Sequence, residues 1–448
     1  MTVVSPRPPP PWWLDVAWRV YERAPRMLDP AVRRGYRALL PCKSLLLRLT
    51  EHRGPVHPDG CTGTVLVAGR GSARDPVSAR FFSAPPERRV IGTVPLWRLP
   101  ATLSRLGATA DVVVAALDAW SARTVLGATY VHVPQAVTQR LVVPDPPVSL
   151  DAFGRRVRRW LRKVLAGDVA MEVSRTTASA GAFDQFDEFY HLVYLPFARR
   201  RYGDAAIIHS FYQLRRAFRH GGTIVWAARA GRRLAGCFVL PQDDVLRALL
   251  LGTAGGDLDL EQAGMLYALY FFVIRYASQE CYREVDLGQS VPLLSSGVLH
   301  HKALWGARLV DDAAPRPCYS VWWNRVDGPA GALLGRHPLI FRHRGAFAAV
   351  TSLERDAAPS DAALSDLARA VVVPGLRQLF VILRDEHAAR RRLAADGAAS
   401  PERCEVVAMT NRDFWRIVAD DRVPDAERQT AGYEAEARRR HARTSRGA

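Results

Sequence analysis

The sequence predicts an α/β protein in which mixed sheets are flanked by helices, and three observations carry that prediction. β-Type runs recur from residue 64 onward, with helical segments between them. Three of these runs, at 223–230, 234–241 and 245–254, follow one another through tight turns, as an antiparallel set does. The ten-residue apolar run Met265–Ile274 sits in a helix that is apolar nearly all round, which marks it as buried.

A chain of 448 residues is long enough for two or three domains. The hydrophobic fraction of 48% and charged fraction of 24% are near globular averages, so most of it should fold. The net charge of +18 favours an anionic partner: a nucleotide-bearing cofactor, a tRNA or an anionic membrane surface. A GC-rich coding sequence would account for part of the arginine excess. Six scattered cysteines form no C-x-x-C pair, which points to a reduced, cytoplasmic protein without a disulfide frame or metal site. No secretory signal is visible, and no apolar run approaches the roughly 20 residues of a spanning helix.

Residues 1–60 read as a basic leader. Trp12 and Trp13 precede Leu14, Ala17, Tyr21 and Ala24 at helical spacing, with Arg19, Arg23 and Arg26 between them. Such a helix either packs on its own domain or makes peripheral contact, through residues 12–49, with the inner face of an anionic membrane. Residues 63–147 follow as an α/β unit, with strands at 64–69, 89–97, 111–117, 130–134 and 140–144 and a helix at 99–106. Pro144, Pro146 and Pro147 mark a boundary.

The next unit spans 150–326. Ser149 can cap a basic helix, RRVRRWLRKVL, whose arginines either meet phosphates or form a solvated face. A strand at 169–175 precedes helices near 183–194 and 211–219, the three antiparallel strands and the buried helix Met265–Ser278. A strand at 283–288, a helix beginning near Gly297 and a strand at 318–326 complete it. Residues 337–421 suggest a small α/β unit with strands at 379–383 and 405–410 and helices at 360–370, 385–396 and 411–419. Residues 424–448 read as a disordered basic tail.

The order of strand, two helices, three antiparallel strands, helix, strand, helix and strand resembles the acyl-CoA N-acyltransferase (GNAT) fold. Its details are similar to the branch holding FemAB-type peptidoglycan aminoacyltransferases and CelD-like acetyltransferases. The residues concerned are the apolar helix Met265–Ala277, Asp286-Leu287-Gly288, and the group Gly297, Lys302, Trp305, Gly306 and Ala307. Tyr194-Leu195-Pro196 with Arg201-Tyr202-Gly203 is a second, shorter likeness. The resemblance implies tandem GNAT-like halves, with 63–147 a degenerate first half. It also implies two strands, ending near Thr253 and Asp286, that splay apart around an acyl donor.

Lysine occurs only at positions 43, 163 and 302, so the chain is biased to arginine wherever a positive charge suffices. Lys302 therefore suggests a role that a guanidinium cannot fill, such as a compact charge for an oxyanion or a substrate phosphate; the bland alternative is a solvated helix lysine. Asp286 is a candidate general base, or else fixes the following turn by accepting backbone N–H bonds. His300 and His301 point about 100° apart, so at most one faces the site. His301 is the candidate proton acceptor, although a packing role stays open because the family shows an aromatic there. Arg201, Tyr202, Ser290 and Trp305 are candidate substrate contacts.

Thr253, Gly255, Gly256 and Gly264 occupy the loop where the resemblance implies a coenzyme A cradle. Asp257, Asp259 and Glu261 put negative charge where a pyrophosphate would sit. FemAB-like enzymes take aminoacyl-tRNA as donor and lack that loop, which makes it the alternative to an acyl-CoA. The functional expectation is transfer of an acyl group to an amine, or a hydroxyl, of a small-molecule or cell-envelope precursor. Its rivals are tRNA-dependent aminoacyl transfer and a non-catalytic, membrane-associated scaffold.

Overall fold

The computed structural model describes residues 45–56, 60–69, 76–176, 182–203, 206, 208–311, 317–353, 359–384, 390–396 and 403–420. The amphipathic stretch from residue 12 to 44 and the basic tail lie outside them.

The chain opens with β1 (Leu46–Pro55), β2 (Thr62–Gly69), α1 (Pro76–Phe81), β3 (Glu87–Pro95), α2 (Leu99–Gly107), β4 (Val112–Asp118) and β5 (Val131–Pro134). It continues through β6 (Val137–Val142), α3 (Arg155–Leu165), β7 (Ala170–Arg175), α4 (Ala182–Glu188), a π-helical turn (Phe189–Tyr194), α5 (Leu195–Tyr202) and α6 (Phe211–Arg219). Then come β8 (Thr223–Arg229), β9 (Arg232–Gln242), β10 (Val245–Thr253), α7 (Leu258–Gln262), α8 (Met265–Gln279), β11 (Glu284–Ser290), α9 (Gly297–Leu304) and β12 (Arg308–Val310). The last part holds β13 (Pro317–Trp323), α10 (Pro329–Arg336), β14 (Leu339–His343), β15 (Ala346–Leu353), α11 (Asp361–Val371), β16 (Leu376–Leu383), β17 (Arg391–Asp396), β18 (Arg403–Thr410) and α12 (Asn411–Ala419).

These strands form three mixed sheets flanked by helices. Their orders are β3-β1-β2-β4-β13-β5, β12-β6-β11-β10-β9-β8-β7 and β14-β15-β16-β18-β17. The strand and helix order expected between residues 169 and 304 is present, but two strands cross the expected boundaries. β6 joins the second sheet, between β11 and β12, and β13 joins the first, between β4 and β5. Alternation explains the placement of β13. Tyr319, Val321 and Trp323 enter one core of the first sheet and Cys318 the other. The proline run follows the end of β6, a strand that shares its sheet with β7 to β12.

Three further expectations change. Leu46–Pro55, read as leader, is a strand that pairs with both β2 and β3. Ser149 caps a short 3-10 turn at Leu150–Ala152, and the basic helix starts after Gly154. Residues 391–396, read as helix, form the edge strand β17 antiparallel to β18, so cross-strand pairing overrides the helix propensity of an Ala/Arg-rich segment.

The second sheet buries one face under α3 and α8 and the other under the aromatic residues of α4, the π-turn and α6. The C-terminal sheet supports both of its neighbours. Phe341, Val350, Phe380 and Met409 share a core with the first sheet, while Ile340, Leu364, Leu379 and Val406 share one with Leu299 and Ala303 of α9. Among the described residues no helix is long and apolar enough to cross a membrane.

Candidate active site

β10 and β11 run parallel but pair only through Val245–Glu284, Leu246–Val285 and Arg247–Asp286. Beyond that third pair β10 continues to Thr253 and β11 to Ser290 with no register between them, so the sheet forks. The turn-off is built at Gly288. Its φ of +79° lies in the left-handed region, and its N–H donates to Asp286 Oδ1 at 2.8 Å. Against β6, β11 takes three steps from Asp286 to Gln289 for two from Arg140 to Thr138, which is a bulge. Asp286 therefore fixes this turn, and its second oxygen lies 3.8 Å from Arg247 Nε.

A bulge strands backbone carbonyls, and Lys302 collects them. Its Nζ donates to Gly288 O and Gln289 O, each at 2.9 Å, and to Ser290 Oγ at 3.2 Å. The Ser290 hydroxyl donates to Gln139 Oε1 at 3.2 Å, and Gln139 Nε2 donates to Leu299 O at 3.1 Å. The three N–H groups of an ammonium are all used. Lys302 is only 3% exposed; burial pushes the amine down to about 7, and Asp286 pulls the other way. Three acceptors converging on one point suit a compact ammonium rather than a planar guanidinium fork. This explains why a lysine stands here, but its N–H groups face β11 and none is left over for an oxyanion. Ser290 likewise has both its proton and an acceptor site engaged inside the network.

On the same helix His301 sits among aromatic rings, with centroids 4.9 Å from Tyr267 and 5.3 Å from Tyr270. Trp305 Nε1 donates to His301 Nε2 at 3.4 Å. Burial, then Arg201, Lys302 and Arg156, push the imidazole down to about 4, so it is neutral with one nitrogen covered. The packing alternative for His301 thus has direct contacts behind it. Trp305 is buried against Phe153 and Tyr270 rather than facing an open site. His300 turns the other way, to Leu294 O.

The loop after β10 is closed on itself. Thr253 is buried and its hydroxyl donates to Asp257 O at 3.1 Å. The Asp257 carboxylate accepts the Asp259 N–H at 2.8 Å, and Glu261 pairs with Arg201. Gly255 (φ +63°) is open, but a Cβ on Gly256 would come within 2.9 Å of the Pro196 backbone. Gly264, at the start of α8, lies beneath α3, where a Cβ would meet Val164 at 2.8 Å and Trp160 at 2.9 Å. Arg201 is therefore committed to the loop, Gly264 is sealed, and Tyr202 is half exposed at the end of α5. These residues do not fit a pyrophosphate grip of the kind a coenzyme A cradle needs, because the helix start that would supply free N–H groups is covered.

The fork also brings together residues that the sequence reading passed over. The π-turn presses on β10 at Gly252, where a Cβ would stand 2.6 Å from Val193 O. Its Tyr190 hydroxyl donates to His209 O at 2.8 Å, and its Tyr194 hydroxyl accepts the His209 N–H at 3.1 Å. Burial, then neighbouring Arg247, hold the His209 imidazole below its ordinary value, so it is neutral near pH 7. Arg247 Nε is buried and makes no hydrogen bond. The sequence signals were an arginine inside the apolar strand VLRALLLGT and an amide, Gln139, inside VTQRLV. A cleft of about 770 Å³ lies between Val193 of the π-turn, Gly255 and Asp257 of the loop after β10, and Arg233, which bonds Glu188 at 2.6 Å and Glu172 at 3.3 Å.

No protein-family model and no curated protein matches the chain. Among solved structures it is similar to L-PGS from Bacillus licheniformis, at 11% identity and a TM-score of 0.31 over 61% of this chain and 84% of that one. It is also similar to FemX, at 13% identity and 0.29 over 62% and 88%, and to a tandem GNAT protein from the clavulanic acid biosynthesis pathway, at 13% and 0.25 over 69% and 93%. Likeness of that order carries no statement about activity.

Proposed function

We propose that the chain is an acyltransferase that moves an activated acyl group onto an amine, or a hydroxyl, within the fork between β10 and β11. The observation that carries this reading is the fork itself, a break in pairing beside a buried, unbonded Arg247 N–H and a neutral His209. Attack by the amine forms a C–N bond and a tetrahedral oxyanion. Arg247, together with β10 backbone past its last pairing with β11, meets that oxygen. His209 takes the proton that the attacking nitrogen loses. Collapse breaks the bond to the leaving group, which departs with its electron pair and is then protonated. Asp286 orients Arg247 and the Gly288 turn, while Lys302 and Ser290 are positioning residues that hold β11 in its bulge.

The acceptor is a small-molecule or envelope-precursor amine. For the donor, the closed loop and the covered start of α8 favour aminoacyl-tRNA over a coenzyme A thioester. Arg155, Arg156, Arg159, Arg162 and Lys163 lie exposed on the helix that covers it, a row able to follow a phosphate backbone. Isothermal titration with acetyl-CoA and with bulk aminoacyl-tRNA tests this reading. Binding of the tRNA with a strong salt dependence supports it, and binding of neither donor favours a non-catalytic scaffold.

A further inference from the structure

One end of the first sheet carries bulky apolar side chains that are exposed among the described residues. Trp97 follows β3 and is 71% exposed, Trp120 follows β4 and is 65% exposed, and Leu46 opens β1 at 62%. Among the described residues no other tryptophan is classed as exposed. Register puts the three together. Leu46 pairs with Pro95, Leu45 O accepts the Leu96 N–H at 2.9 Å, and Leu96 and Ala122, neighbours of the two tryptophans, enter one core cluster. β3 and β4 are three strand spacings apart, so the strand ends that precede the two tryptophans stand roughly 15 Å from each other at one end of the sheet.

The exposed charges around the tip are basic, against one half-buried acid. Arg48, Arg98 and Arg123 are exposed there. The nearby acid, Asp118, has its carboxylate on the Ser121 N–H at 2.9 Å. Glu51 and Glu87 pair far down β1 and β3, toward the opposite end. Exposed indoles with exposed arginines beside them match the layered chemistry of a bilayer interface, where an indole sits at headgroup depth and a guanidinium meets lipid phosphate.

We propose that this tip is a docking surface for an anionic lipid membrane. The inference is independent of the acyl-transfer reading, because no residue of the fork takes part. The test is flotation of the full-length protein with phosphatidylcholine vesicles, with and without phosphatidylglycerol, for the native chain and a Leu46→Ser, Trp97→Ser, Trp120→Ser variant. All three positions are exposed, so thermal unfolding of the variant should match the native chain. The native protein should float with anionic vesicles only, the variant should bind them at least about tenfold more weakly, and brominated lipid should quench less fluorescence in the variant. Three outcomes overturn the proposal: no flotation of the native chain; equal binding and quenching by the variant, which would place the contact elsewhere; or self-association at the tip, lost in the variant, without vesicle binding.

Discussion

Lys302 Nζ lies 2.9 Å from the carbonyl oxygen of Gly288, the residue at which β11 bulges away from β6 and leaves β10. The helix bearing Lys302 is thereby fastened to the strand that forms one side of the fork.

Lys302→Met should orphan two buried carbonyls and destabilise the protein by about 2–4 kcal/mol, read from urea unfolding. Lys302→Arg should also destabilise, because a guanidinium overfills the site. A cost below about 0.5 kcal/mol for the methionine variant would contradict the clamp.

The same clamp predicts a pH dependence. The folded-state amine titrates near 7 and the unfolded one near 10.5, so between those values the unfolded chain holds more protons. The stability of the native chain minus that of Lys302→Met should therefore rise from pH 7 toward 10.5 and fall back as pH drops to 7. A flat difference across this window would refute the assignment.

Gly264→Ala would force a side chain into φ +89° and against Val164. The expected cost is about 1–3 kcal/mol, with donor affinity unchanged where the protein remains folded. A selective loss of donor binding at native stability would restore Gly264 to the donor site.

His209→Gln should lower kcat by roughly 10²–10⁴-fold and remove the acidic limb of the pH–rate profile. That limb lies below 6.5, the ordinary histidine value, because burial and Arg247 depress the imidazole. His301→Gln should leave the limb in place. The opposite pattern would return the proton-acceptor role to His301.

Leu364 of α11 belongs to the core that seats Leu299 and Ala303 of α9, and Leu294 N–H donates to Pro338 O at 2.9 Å. Leu364→Ala should cost about 2–5 kcal/mol and speed amide exchange along α9 and β11. Unchanged exchange there would separate the C-terminal unit from the site.

Much of the second sheet was legible in the sequence because its elements are long and periodic. VLRALLLGT reads as a strand and MLYALYFFVIRYASQ as a buried helix from local pattern alone. Sheet membership was not legible, since β6 and β13 are placed by partners more than a hundred residues away. Scarcity singled out Lys302, but the direction of its ammonium depends on a bulge that only the β6–β11 register reveals. Arg247 was hidden by the arginine-rich composition, and His209 by a loop pinned through two tyrosine hydroxyls.

The proposed acyl transfer in the fork depends on Arg247. It is tested most directly by single-turnover acyl release from bound donor in the native chain and in Arg247→Met, with donor affinity measured on the same samples. The account predicts release slowed by roughly 10²–10³-fold at donor affinity within about threefold of native. Native-rate release by Arg247→Met would contradict it.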